Sequence, residues 1–210
     1  MSRRLYPLRP LCGLAILALL LVAQQPLLAE DRDEWQQPER VVADLALGPG
    51  ATVADVGCGT GYFTFRLADA VGTEGHVQAV DIDNDALRRV REGVAREQRS
   101  NISVLLSEPT DTKLPAASAD AVLVCNVLHE AGAADRPGLM QSIAQALKPG
   151  GLLFLLDWRK SRDVTFDPYD KLIPREDLVA LGENAGLTFD AEFYYLKYQV
   201  FLRFRRPPQP

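Results

Sequence analysis

By type and spacing, the residues best suited to chemistry are Gly57, Gly59 and Gly61, in the stretch TVADVGCGTGYF that runs from Thr52 to Phe63. They follow directly on an apolar run. Glycine has no Cβ, so a loop built on three of them lets a ligand approach the backbone, and a helix that follows points its free N–H groups at that ligand. The spacing is GxGxG. The dinucleotide fingerprint GxGxxG needs glycine where Tyr62 stands, and a tyrosine there obstructs the pyrophosphate seat. Nicotinamide and flavin dinucleotides are therefore disfavoured. Asp81 follows twenty residues after Gly61 and closes the run HVQAVD. An acid at the end of a second strand can accept hydrogen bonds from both ribose hydroxyls. Asp83 is better suited to cap the next helix. His129 and Glu130, just past another apolar run, are the candidate general bases. The competing reading packs His129 in the turn and uses Glu130 as a cap.

The elements that must position these groups alternate. Strands are expected at Thr52–Val56, His76–Ile82, Ile102–Leu106, Ala121–Val127 and Leu152–Asp157, and helices at Tyr62–Val71, Asn84–Gln98, Pro137–Leu147 and Pro174–Asn184. Strands this apolar need cover on both faces, so the pattern predicts a parallel sheet wrapped by helices. The end of the chain breaks the rhythm. Leu187–Tyr195 and Tyr198–Phe204 have almost nothing between them, too little for a parallel crossover, and are expected to form an antiparallel hairpin at a sheet edge. A short amphipathic helix, Pro38–Leu47, precedes the first strand.

Four stretches, VADVGCGTGYFT, VQAVDID, KLPAASADAVLVCNVLHE and ALKPGGLLFLLDW, together resemble the successive motifs of class I S-adenosylmethionine-dependent methyltransferases. The resemblance covers about residues 35–205 and is nearest to bacterial small-molecule methyltransferases, including those of ubiquinone and menaquinone biosynthesis. It implies a Rossmann-like, doubly wound α/β fold with S-adenosyl-L-methionine as methyl donor. In that family Asp55 would orient the loop and the methionine ammonium, and Gly57, Gly59 and Gly61 would pass under the methionyl and ribose parts. Asp81 would bind the ribose, Ile82 would lie against adenine, and Asn126 would line the site beside the sulfonium. Glu108 or Asp111, in a loop that departs from the family pattern, would meet the adenine amino group, with Glu108 preferred. Asp157, Trp158, Tyr194, Tyr195 and Tyr198 are candidates for the acceptor wall, and Trp35 for a cover over the cofactor. The implied strand order also makes the first and fourth strands neighbours. Cys58 and Cys125 would then fall within reach of a cross-link.

Composition sets the remaining bounds. The chain has 210 residues, 47% hydrophobic and 24% charged, consistent with one globular domain. Residues 1–29 stand apart: Arg3, Arg4 and Arg9 precede the uncharged run Leu11–Ala23, the layout of a signal peptide, either cleaved or retained as an anchor. Residues 30–50 are an approach segment with its helix, and 51–207 the methyltransferase domain. Beyond the leader stand 20 basic and 28 acidic residues, a net charge of −8, which argues against nucleic acid as a partner. Two histidines and, after Cys12, two cysteines argue against a metal centre.

These features predict a methyltransferase acting on a small-molecule acceptor in the periplasm or outside the cell, touching membrane only through an uncleaved leader. S-adenosylmethionine is made in the cytoplasm, so export raises a conflict. The cofactor is imported, or translation starts near residue 30, or the domain has become an exported, non-catalytic metabolite-binding protein.

Overall fold

A strand that is apolar on both faces must be covered on both, and this chain supplies five such strands in a row. A computed structural model describes residues 32–160 and 171–208; the leader expected over residues 1–29 lies outside the described residues. The elements are α1 (Arg32–Gln36), α2 (Pro38–Asp44), β1 (Thr52–Val56), α3 (Thr64–Val71), β2 (His76–Asp81), α4 (Asn84–Arg96), β3 (Ile102–Leu106), β4 (Ala119–Cys125), α5 (Arg136–Ala146), β5 (Leu147–Trp158), α6 (Arg175–Asn184), β6 (Thr188–Phe193) and β7 (Gln199–Arg205). The sheet has seven strands in the order β3-β2-β1-β4-β5-β7-β6. The first five pair in parallel, and β7 pairs antiparallel with both β5 and β6. The α/β fold with a terminal antiparallel hairpin is as expected from the alternation of elements.

Side chains alternate between the two faces as strand geometry requires. Val53, Val77, Ala79, Leu123, Phe154 and Phe201 pack under α2, α3 and α4 with Val41, Leu67 and Leu87. Ala54, Val80, Val122, Leu155, Leu202 and Phe204 face α5 and α6 with Met140, Ile143 and Leu178. Two dry layers therefore clamp one sheet. Its strand order reverses between β1 and β4, where a crevice opens beyond the carboxyl ends.

The departures from expectation have local causes. β4 ends at Cys125 because Asn126 adopts a left-handed conformation (φ 60°), which breaks the ladder. The third helix begins at Thr64, since Gly61 (φ 93°) leaves Tyr62 and Phe63 in the turn. β5 starts at Leu147, because the KPGG segment, expected as a stop, pairs onward: Gly150 N–H donates to the Arg206 carbonyl and Arg206 N–H to the Gly151 carbonyl, just past the end of β7. An unexpected helix, α1, ends at Gln36, before the left-handed Gln37 (φ 47°) that precedes Pro38. Five residues, Tyr194–Tyr198, join the hairpin strands, more than the spacing had suggested.

Phe201 is fully buried, stacked on Phe193 with ring centroids 4.5 Å apart and 6.2 Å from Phe154. Phe201→Ala should cost about 3–5 kcal/mol in urea unfolding. A loss below about 1 kcal/mol would mean that the hairpin adds little to the core.

Candidate active site

The crevice is a cavity of about 380 Å³ lined by Gly57, Asp81, Ile82, Glu108, Asn126 and Glu130, among others. Of the glycine loop, Gly57 lines it, while Gly59 and Gly61 lie outside the lining. The N–H groups of Gly57 and Cys58 both donate to the Val80 carbonyl, at 2.8 and 3.1 Å, which binds the loop to the end of β2. The three glycines do different work. A Cβ on Gly57 (φ 72°) would come within 2.1 Å of Val127 Cγ2, and one on Gly61 (φ 93°) within 2.7 Å of Phe65. At Gly59 (φ 53°) nothing lies within 4 Å. Gly57 and Gly61 are required by neighbouring side chains, whereas Gly59 faces open space.

Asp81 joins the loop to the next strand. Its Oδ2 accepts from Gly59 N–H at 2.8 Å and its Oδ1 from Asp83 N–H at 2.9 Å. A carboxylate has about four acceptor positions, so two remain for hydroxyl donors in the cavity. Asp83 caps α4 by accepting from Asp85 N–H, as expected. Ile82 is 61% exposed at the cavity rim, with Leu106 nearby at the end of β3, an apolar shelf of the kind that suits a flat heterocycle. Glu108 lines the cavity and pairs with Lys113 at 3.1 Å, while Asp111 lies outside the lining and is held by Lys113 and Ser142. The geometry thus brings Glu108, the preferred candidate, to the site.

Asp55 sits just beneath, 2% exposed, accepting from Thr64 Oγ1 at 2.6 Å. It ties β1 to the start of α3 and does not line the cavity. Burial pushes its carboxyl up to about 6, with Thr64 and Arg32 opposing and Asp81 reinforcing the rise.

The two candidate bases part company. Glu130 lines the cavity. His129 is buried behind it, its ring Nδ1 2.7 Å from Asp157 Oδ1 and its Nε2 3.3 Å from Glu130 Oε1. Asp157 also accepts from the backbone N–H groups of His129 and Trp158. It is 1% exposed, so it braces His129 and does not serve as an acceptor wall. Glu130 is held below the usual carboxylate range, chiefly by its hydrogen bond from Lys171 and then by His129, against partial desolvation.

Other expectations move. Trp35 packs on Trp158 at 5.0 Å and edge-on to Tyr198 at 6.3 Å, a closed aromatic cluster outside the cavity lining. Tyr194 is 76% exposed, and Tyr195 packs on Phe201 under Arg40. Cys58 and Cys125 are free, buried thiols, and the cross-link that neighbouring strands would allow is not formed between them. Cys58 Sγ leans on the Gly59 carbonyl, and Cys125 Sγ accepts from Gln36. Burial pushes the Cys125 thiol up to about 12 and raises that of Cys58 as well.

Sequence reasoning missed the polar residues of α1 and β7. Gln36 and Gln199 are fully buried and hydrogen-bonded to one another, and Gln199 reaches Asn126. Tyr62, noted only for what it blocks, anchors α1: its hydroxyl donates to Asp33, and the Arg32 guanidinium lies 3.6 Å above its ring. Charged neighbours around a tyrosine in the third glycine position were the available signal.

The cavity wall is acidic. Asp81, Glu108, Glu130 and Asp135 line it, and among the described residues no lysine or arginine does. Among the described residues no cluster could hold a metal ion, and no helix is long and apolar enough to cross a membrane. A nucleoside carrying positive charge fits this site: free acceptor positions on Asp81, open space over Gly59, an apolar shelf at Ile82 and a negative wall.

Fold and site together define a doubly wound nucleoside-binding domain of the methyl-transfer type. Residues 53–151 match the family described as methyltransferase domain. A solved S-adenosylmethionine-dependent methyltransferase from Aquifex aeolicus is 26% identical, with a TM-score of 0.77, covering 83% of this chain and 92% of that one. The arsenite methyltransferase of Halobacterium salinarum is 31% identical over 69% of this chain, and the ubiquinone/menaquinone biosynthesis C-methyltransferase UbiE of Vibrio vulnificus 30% over 70%. The matches span 39% and 55% of those two relatives. The chain belongs to the class I S-adenosylmethionine-dependent methyltransferases, a family whose methyl donor is S-adenosylmethionine.

The raised Asp55 carboxyl carries a pH signature. Its folded value stands above 3.8, so folding favours the protonated form. The stabilising contribution is complete below 3.8 and is lost as pH rises through about 6. Asp55→Asn, uncharged and isosteric, should abolish this loss, worth about 3 kcal/mol by pH ~7. Urea midpoints of both chains across that window measure it; parallel curves would show that Asp55 ionises freely.

Proposed function

We propose that this chain catalyses transfer of a methyl group from S-adenosylmethionine to a small-molecule acceptor. The observation that carries the reading is the Asp81 clamp: one carboxylate holds the open glycine of the loop and keeps acceptor positions turned to an acid-walled cavity. When bound, S-adenosylmethionine supplies a methyl already activated on a sulfonium, whose carbon–sulfur bond breaks as the bond to the acceptor forms. The protein's task is then to hold the reactants in line at about 3–3.5 Å and to take a proton where the acceptor loses one. Glu130 offers a carboxylate at the cavity wall for that proton, with His129 and Asp157 as a braced pair behind it.

The relatives' names suggest the first acceptors to assay, arsenite and demethylmenaquinone-like quinols. Arsenite calls for accessible thiolates, and the two thiols among the described residues are buried and raised, so the quinol class fits better. The layout of residues 1–29 supports export of the domain, and detection in a periplasmic fraction tests that part of the reading.

Calorimetry of the purified chain with S-adenosylmethionine and S-adenosylhomocysteine is the direct test. Micromolar binding is expected, and Asp81→Ala should weaken it by about 1.5–3 kcal/mol. Equal affinity in the variant would remove Asp81 from the binding site. Binding without transfer to any acceptor would favour a metabolite-binding role.

A further inference from the structure

A line of four polar side chains runs from the N-terminal segment into the cavity. Arg32 Nε donates to Gln36 Oε1 at 2.6 Å, Gln36 Nε2 to Gln199 Oε1 at 3.0 Å, and Gln199 Nε2 to Asn126 Oδ1 at 2.6 Å. An amide can face either way in such a chain, because its two ends differ only as donor and acceptor. Arginine cannot, since it only donates. It fixes the oxygen of Gln36 toward itself, which turns the Gln36 nitrogen to Gln199 and the Gln199 nitrogen to Asn126. The second N–H of Gln36 is consistent, going to Cys125 Sγ at 3.0 Å. Asn126 is left with its carbonyl engaged and its NH₂ group at the cavity, where no described residue accepts from it. Its left-handed backbone, the break that ends β4, puts the side chain there.

A donor is the wrong partner for a sulfonium, which is cationic, and for an amino group offering its own N–H bonds. We infer that Asn126 is a specificity-determining residue and that the methyl acceptor presents it with an oxygen, a carbonyl or a hydroxyl at or beside the reacting atom. Arg32, Gln36 and Gln199 are positioning residues that set this polarity from outside the cavity. The inference rests on the methyltransferase reading above and narrows its acceptor to oxygen-bearing compounds over amines.

The polarity can be inverted without touching the cavity. In Gln36→Glu, one carboxylate oxygen takes Arg32 and the other faces Gln199, which must turn its nitrogen to it. Asn126 then turns its own nitrogen to Gln199 and shows the cavity a carbonyl. The test uses the full chain loaded with S-adenosylhomocysteine and two neutral probes: acetophenone, whose only polar atom accepts, and aniline, whose amino group chiefly donates. Binding is followed on the side-chain amide signal of Asn126 by NMR. The original chain should bind acetophenone about tenfold tighter than aniline. Gln36→Glu should reverse that order, and Gln36→Leu, which breaks the line without reversing it, should bring the two probes toward parity. An original chain that prefers aniline or takes up neither probe overturns the inference, as does an order unchanged in both variants. If S-adenosylhomocysteine itself does not bind, the methyltransferase reading falls along with this one; cofactor binding without probe preference removes this one alone.

Discussion

The site hangs on one carboxylate. Asp81 stands where β2 ends, and its two oxygens reach in different directions, one to the N–H of Gly59 and the other to that of Asp83. The first contact pins the open part of the glycine loop; the second sets the turn into α4. Gly57 and Cys58 add a pair of hydrogen bonds to the Val80 carbonyl beside it. The loop is therefore tied to its neighbouring strand through backbone groups, and no side chain crowds the ligand surface. A free loop with three left-handed glycines would lose much of its ordering entropy only on binding. Held this way, it has already lost it when the chain folds, and the cofactor meets a formed cradle.

Electrostatics follow from the same placement. Burial disfavours the charge of Asp55, and the carboxylate of Asp81 close by adds to the effect. The cost is tolerated because Thr64 donates to Asp55 and Arg32 lies near enough to oppose the rise. The cavity wall carries four carboxylates and, among the described residues, no lining cation. Lys113 and Lys171 pair with Glu108 and Glu130, so Asp81 and Asp135 are left to attract a cation, which is the sign of the donor this family uses. After transfer the sulfur is neutral, so part of the attraction vanishes with the reaction, and the spent cofactor is held less firmly by charge than the fresh one.

Much of this was legible in the sequence, and the physical reasons are specific. Apolar strands at β1, β2, β4 and β5 fixed the parallel sheet, because no other fold covers both faces of so many. GxGxG with Asp81 located the crevice, since glycine and an acid at those positions answer to a backbone approach and a pair of hydroxyls. What sequence could not show depended on long-range pairing. His129 and Glu130 are adjacent in the chain, yet one is buried and the other lines the cavity. The difference comes from Asp157, which is 28 residues away from His129 and captures its ring. Asp157 itself read as a wall residue because strand ends usually face ligand; here the carboxylate is turned inward by three donors. The cysteines show the same limit: neighbouring strands bring backbones within disulfide range, but Cys125 points to Gln36.

The N-terminal segment is the clearest case of one residue serving two ends. Tyr62 occupies the position where a dinucleotide-binding loop needs glycine, and its ring is the platform on which α1 is held. Arg32 lies on one side of it, Arg66 sits 4.5 Å from the ring centre, and Asp33 takes both its hydroxyl and the Arg66 guanidinium. The residue that closes the site to a pyrophosphate therefore also holds the N-terminal segment in place. That segment brings Arg32, the one donor-only group in the amide line, to within reach of Asp55 and of Gln36. Remove the tyrosine, and the loop regains room while the polarity of Asn126 loses its origin. Exclusion of one ligand class and orientation toward another are then the same structural event.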